Sequence, residues 1–387
     1  MLRLVLLFSL LFAALNASAQ MFDEAEREQK QQEMGQQMLL VSEWLQDQGY
    51  VNSSFTFAVT ALSIQILPPA EQVLRILNQS IDSGKLDKSD WHRLARFCQQ
   101  AQLATKSTNW QAQRKSTADQ FNSWCEKNRI LKHYFKLDAD NAYVYLFQMN
   151  LFATDPYNPQ NLSLLRKAAT AKYATKYFGF GLQGLTTHLR EYYQTHQVKP
   201  LDLPAGLVFD DEDAFVSLYS AAVAVAVFVA YPSRVLGFCS DSRKQEHTGS
   251  NEKVVADCIR LMKLFRSEKN TLMEVTVANA IISVLSQPGS AEQLEAERQK
   301  RTISLTRECL SSWGDSVSSE SYSGKDLKIF LKMQPLLESM GELQALAAAS
   351  DQYFGVYQNE DEPKPSSCLL LKELDLEAAR KMQSVRN

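Results

Sequence analysis

The sequence predicts an all-α protein. Apolar residues return at three- and four-residue spacing through most of the chain, and Pro68-Pro69 and Gln287-Pro288-Gly289-Ser290 break these runs. One stretch, Ala214 to Ala230, carries no charge, no Gly and no Pro. Asp210, Asp211, Glu212 and Asp213 precede it and Tyr231-Pro232 ends it. This is a helix with an acidic first turn, which suits the partial positive charge of a helix N-terminus. A helix apolar on every side is expected to be wrapped by neighbours. Two other readings of 214–230 stay open. A membrane span needs about 20 apolar residues, and this stretch is slightly shorter and rich in Ala and Ser, which insert weakly. A buried strand is suggested by the Val/Ala alternation.

The chain opens with Arg3, an apolar run from Leu4 to Leu15, and the small-x-small triplet Ala17-Ser18-Ala19. This predicts a signal peptide, residues 1–19, cut after Ala19, and a periplasmic or secreted protein. An uncleaved N-terminal anchor helix is the alternative. Loss of Arg3 takes the formal charge from −3 to −4, so there is no general attraction to phosphate backbones and no nucleic-acid partner is expected. A membrane partner is not expected either. Cys98, Cys125, Cys239, Cys258, Cys309 and Cys368 all lie in the exported part. An even count in an oxidising compartment predicts disulfides. The cheapest pairing joins sequence neighbours: Cys98–Cys125, Cys239–Cys258 and Cys309–Cys368. Cys98 and Cys125 fall on core-facing stripes of consecutive helices, which favours that bridge most. Free buried thiols remain the other reading.

In order, residues 20–37 are rich in Gln, Glu and Lys, and are expected to be a solvated helical leader. An N-terminal helical region covers 38–200. Val51 to Leu67 reads either as a strand or as a Ser-capped helix; helix is preferred because a lone strand has no partner. Pro68-Pro69 ends it, and the next helix buries Val73, Leu77 and Ile81. Asp90 is expected to cap the helix carrying Trp91, Leu94 and Cys98; Phe121, Trp124 and Cys125 share a face on the next. Tyr177 to His196 is expected to be one helix opened by glycines. The Pro-containing connector 198–210 is the predicted domain boundary, with a C-terminal helical region given as 208–387. There, Val255, Cys258, Ile259, Met262 and Phe265 share a face, Leu272 to Leu285 is mostly apolar, and Ser290 can cap a charged helix from Ala291 to about Trp313.

Leu137 to Tyr173 sets an aromatic-rich helix before a DPYNP turn and an Ala-rich helix. Two antiparallel helices in about 34 residues are the unit of a helical repeat. This unit resembles the tetratricopeptide-like repeats of exported bacterial proteins, with Tyr145, Phe152, Leu165 and Ala168 near the large and small packing positions. The resemblance implies an irregular helical-repeat array, an α-solenoid of antiparallel helix pairs, acting as a protein-binding scaffold.

No catalytic constellation stands out. Gly179, Gly181 and Gly184 match GxGxxG, but a helix precedes them where a dinucleotide site needs a strand. His188, Glu191 and His196 share one helix, yet a metal would need further ligands. Ser250 and Lys253 fit SxxK without the fold that motif requires; a helix cap accounts for Ser250. Asp138, Asp140 and Asn141 lack the rest of a calcium loop, and an Asp cap is the better account. Neither cofactor nor metal is expected. Tyr173, Tyr177, Phe178, Phe180, Tyr192 and Tyr193 form a dense aromatic cluster, read as core or as a peptide- or glycan-binding groove. The expected function is a non-catalytic exported scaffold for a protein or peptide partner in the cell envelope. The alternative is an envelope hydrolase whose site is assembled from dispersed residues.

Overall fold

A computed structural model describes residues 24–63, 70–105, 112–149, 155–177, 181–196, 216, 220, 233–242, 251–266 and 271–311. Among these residues the regular structure is helical, with only an isolated bridge between Asn141 and Tyr173. The helices are α1 (Glu24–Asp47), α2 (Val51–Ser63), α3 (Ala70–Asp82), α4 (Lys88–Thr105), α5 (Ala112–Lys127), α6 (Ile130–Leu137) and α7 (Ala142–Leu146). They continue with α8 (Pro159–Ala169), α9 (Leu182–His196), α10 (Ser233–Asp241), α11 (Asn251–Phe265), α12 (Leu272–Leu285) and α13 (Ala291–Ser311).

The boundaries follow from local chemistry. Gly49, at φ 80°, makes the left-handed turn between α1 and α2 that a side chain would strain. The Val51 segment is helical, as preferred. The cap of α4 is Asp87, not Asp90: the Asp87 carboxylate accepts the N–H groups of Ser89 and Asp90 at 2.7 and 3.0 Å. Asp90 takes the reciprocal place one turn in, accepting the Asp87 N–H at 3.3 Å. The two carboxylates share the work of a capping box. Thr271 and Glu274 form a full box at the start of α12, and the Ser290 hydroxyl accepts the Gln293 N–H at 3.3 Å to open α13.

Two cores organise the packing. α1 lies along α2, α2 on α3, and α4 on α5. Together they bury Phe55, Val73, Leu77, Leu94, Phe121 and Trp124. The Trp124 indole N–H donates to Asn78 at 2.9 Å, so α3 and α5 are joined by a polar bond as well. In the second core α8 packs on α7 and α11, α11 on α12, and α12 on α13. Tyr143, Leu165, Ala168, Phe265, Ile282 and Leu285 are buried there. Tyr134 and Ala142 also belong to it, so this core draws on residues from both sides of the 198–210 connector. Trp91 and Leu131 pack against both cores.

Each core contains one disulfide. Cys98–Cys125 ties α4 to α5 and Cys239–Cys258 ties α10 to α11, with Cα atoms 5.7 and 5.6 Å apart. These are two of the three bridges that neighbour pairing predicts. Cys309 falls in α13, but its side chain and all of Cys368 lie outside the described residues. Most of 214–230 lies outside them too. Val216 and Ser220 are described: both are helical and buried, and the Ser220 hydroxyl donates to the Val216 carbonyl at 2.7 Å. That four-residue back-bond belongs to a helix, so at these two positions the helical reading holds over the strand. Among the described residues no helix is long and apolar enough to cross a membrane.

Candidate functional site

Two polar clusters arise where helices meet, and the aromatic residues named from sequence divide between them. The first surrounds Asp138. α6 stops at Leu137, and the chain turns through Asp138 to Asn141, whose own side chain caps α7. Asp138 therefore does not serve as the helix cap expected of it. Its buried carboxylate accepts the hydroxyls of Tyr173 at 2.6 Å and Tyr177 at 2.8 Å, and the Asn141 amide at 2.8 Å. Lys88, half exposed, lies 3.4 Å away. A buried anion is tolerable only when ringed by donors. Burial, and then the Asp138 charge, pushes the Tyr177 phenol far above its ordinary range, and burial does the same to Tyr134. Tyr177 lies outside α9, with φ 57°, a left-handed conformation uncommon for a bulky residue. Its hydroxyl on Asp138 and its N–H on the Thr175 hydroxyl, 3.1 Å, hold it there. Gly181, at φ 75°, then leads into Leu182, so the helix expected from Tyr177 starts five residues later.

A buried network continues inward. The Tyr134 hydroxyl is 2.8 Å from His92 Nδ1 and 3.4 Å from Asp138. Tyr134, Tyr143, Phe147 and Tyr177 surround the imidazole. Burial, then the positive charges of Arg96, Lys176 and Arg93, hold His92 well below the ordinary histidine range. Beyond it, buried Lys176 pairs with buried Glu274 at 3.1 Å, and the Tyr143 hydroxyl donates to the same carboxylate. Burial alone would raise Glu274, but Lys176, Tyr143 and the Thr271 backbone outweigh it and leave the carboxyl below its usual range. Burial lowers Lys176, with Glu274 pulling it partly back. These bonds clamp the 173–177 segment to α6, α7 and the start of α12.

The second cluster lies at the seam where α9 rests on α1 and α2. The rings of Tyr50 and His188 stack at 3.8 Å, nearly parallel. The Tyr50 hydroxyl donates to Glu191 at 2.9 Å, and the Ser53 hydroxyl is 2.8 Å from His188 Nδ1. Burial lowers His188, and the Glu191 charge raises it part of the way back. One turn further on, Tyr192 meets Trp44 edge-on at 5.3 Å and stacks on His196 at 4.4 Å. Trp44 and Tyr192 are half-buried and His196 is exposed. Leu40, one turn before Trp44 on the same side of α1, is 57% exposed.

The residues of the expected groove thus make different contacts. Tyr173 and Tyr177 turn their hydroxyls to Asp138, Tyr192 belongs to the seam, Tyr193 is buried, and Phe180 lies outside the described residues. His188 and His196 sit among aromatic rings, and among the described residues no three metal-ligating side chains converge. Sequence reasoning missed Trp44, Tyr50, Ser53, His92, Lys176 and Glu274 as members of clusters. Only Glu274 carried a readable signal, the Thr-x-x-Glu spacing before an apolar run. Comparisons with protein-family models, curated proteins and solved structures find no match to this chain.

Proposed function

We propose that the chain is an exported helical scaffold that binds a protein or peptide partner in the cell envelope. The observation that carries this reading is the face formed by Leu40, Trp44, Tyr192 and His196. It combines an exposed aliphatic side chain and an exposed imidazole with the half-buried rings of Trp44 and Tyr192. Aromatic residues of this kind are enriched where proteins meet. Two disulfides suit an oxidising compartment, in keeping with the expected signal peptide. The α7–α8 pair, within the unit resembling a tetratricopeptide-like repeat, fits the scaffold reading, with Leu165 and Ala168 fully buried and Tyr145 half-buried.

The test is site-specific crosslinking in native envelopes. A photoreactive residue at Leu40 should capture one defined peptide segment, and Trp44→Ala should abolish the capture while the melting curve is unchanged. Capture that is absent, or indifferent to Trp44, removes the proposal. A hydrolytic activity, which partner binding does not exclude, has one observation in its favour: Ser53 and His188, 135 positions apart in sequence, meet at hydrogen-bond distance.

A further inference from the structure

Scaffolding gives no role to the other end of the seam, where a hydroxyl meets an imidazole and a carboxylate one turn along α9 is held by Tyr50. We propose that Ser53 is a nucleophile and His188 its general base, forming a site for small carboxylic esters, with Glu191 and Tyr50 as positioning residues. The Ser53 hydroxyl lies 2.8 Å from His188 Nδ1, within the reach required for proton transfer. Ser53 is in the first turn of α2. The first intrahelical bond there runs from the Ser54 N–H to the Tyr50 carbonyl at 3.0 Å. The N–H groups of Val51, Asn52 and Ser53 precede it and have no carbonyl four residues back within the helix. A helix N-terminus so placed beside a nucleophile can stabilise a developing oxyanion.

Glu191 follows His188 by one turn of α9, and its negative charge favours the imidazolium that forms when Ser53 gives up its proton. Tyr50 fixes that carboxylate by donating to it at 2.9 Å and covers one face of the imidazole. The Glu191 charge thus supports the base electrostatically rather than through a bond to the ring. Ser53 keeps only 7% of its surface exposed, so the proposal is confined to small esters.

The chemistry balances as a hydrolysis. Ser53 Oγ bonds to the ester carbonyl carbon while its proton passes to His188 Nδ1. The carbonyl–alkoxy bond breaks and the alkoxide leaves with that proton. Water then attacks the acyl-serine, giving a proton to His188. The carboxylic acid departs, and the proton returns to Ser53 Oγ.

The experiment uses diisopropyl fluorophosphate on the intact, disulfide-bonded protein, with peptide mapping of the adduct. Attack forms an Oγ–phosphorus bond and expels fluoride. The expected result is labelling at Ser53 that falls at least about 100-fold in His188→Gln, the low end of what a general base contributes. The wild-type rate should also fall as pH drops below 6.5, since His188 is held beneath the ordinary histidine value. Glu191→Gln should move that midpoint to still lower pH, a change that loss of a purely structural contact would not produce. No adduct on Ser53 in the folded protein, or a rate that does not fall anywhere below pH 6.5 while the chain stays folded, overturns the proposal. Both readouts come from the wild-type chain, so a misfolded variant does not decide the matter. Neither result bears on partner capture at Leu40.

Discussion

Asp138→Asn perturbs the point on which five side chains, Tyr134, Asn141, Tyr173, Tyr177 and Lys88, converge while leaving the shape of the residue unchanged. In the wild-type protein its two oxygens receive hydroxyls from Tyr173 and Tyr177 and an amide from Asn141, at 2.6 to 2.8 Å. A carboxamide keeps one acceptor oxygen and presents an NH2 where the other stood. Either the Tyr173 side or the Tyr177–Asn141 side then faces a donor. Hydrogen bonds to a charged group contribute about 1.5–3 kcal/mol each, and part is recovered when a tyrosine hydroxyl rotates to accept. Loss of the Lys88 pairing adds little, because Lys88 is half exposed. The expected cost is about 2–4 kcal/mol, rising to about 3–5 for Asp138→Ala, which leaves the buried donors without an anion. Urea unfolding followed by circular dichroism measures both. A cycle with Tyr173→Phe should show coupling of about 0.5–3 kcal/mol. Hydrogen exchange should rise across 173–177, because Tyr177 would lose a bond that holds its left-handed backbone. The reasoning is refuted if Asp138→Asn stays within about 0.5 kcal/mol of wild type, the range of an ordinary surface substitution.

Replacing Cys98 and Cys125 together by Ala should cost about 3–4 kcal/mol, from the entropy of closing a 27-residue loop; mass mapping without reductant should recover this bridge and Cys239–Cys258 in the native chain. Lys176→Met leaves Glu274 as an unpaired buried charge and should cost about 3–5 kcal/mol, whereas Lys176→Met with Glu274→Leu should recover much of the loss; urea midpoints compare the two. Stability should fall as pH drops below 6.5. His92 has a folded-state value below its unfolded one, so it adds stability above pH 6.5 that is lost on acidification. Asp90 works in the opposite sense: burial, against the pull of Arg93, pushes it up to about 6, so its contribution is present at low pH and lost as pH rises through about 6. His92→Phe should therefore flatten the acid limb of a urea-midpoint profile between pH 7.5 and 5.

The helices were legible because their signals are local. Val73 and Leu77 on α3, or Cys258, Met262 and Phe265 on α11, repeat at the period of one helix turn, and a one-turn pattern requires no knowledge of the partner. Two disulfides were legible for a related reason, since Cys98 and Cys125 stand on inward stripes of adjacent helices. Caps were half legible. The Thr271–Glu274 spacing is plain, but Asp87 and Asp90 sit three apart and both are acidic, so only the backbone geometry separates cap from reciprocal partner. The clusters depended on the tertiary fold alone. Asp138 meets Tyr173 and Tyr177 across 35 and 39 residues, Glu274 meets Tyr143 across 131, and Ser53 meets His188 across 135. A buried polar group must find a complementary partner wherever packing delivers one, and periodicity along a single helix carries no record of which distant helix that is.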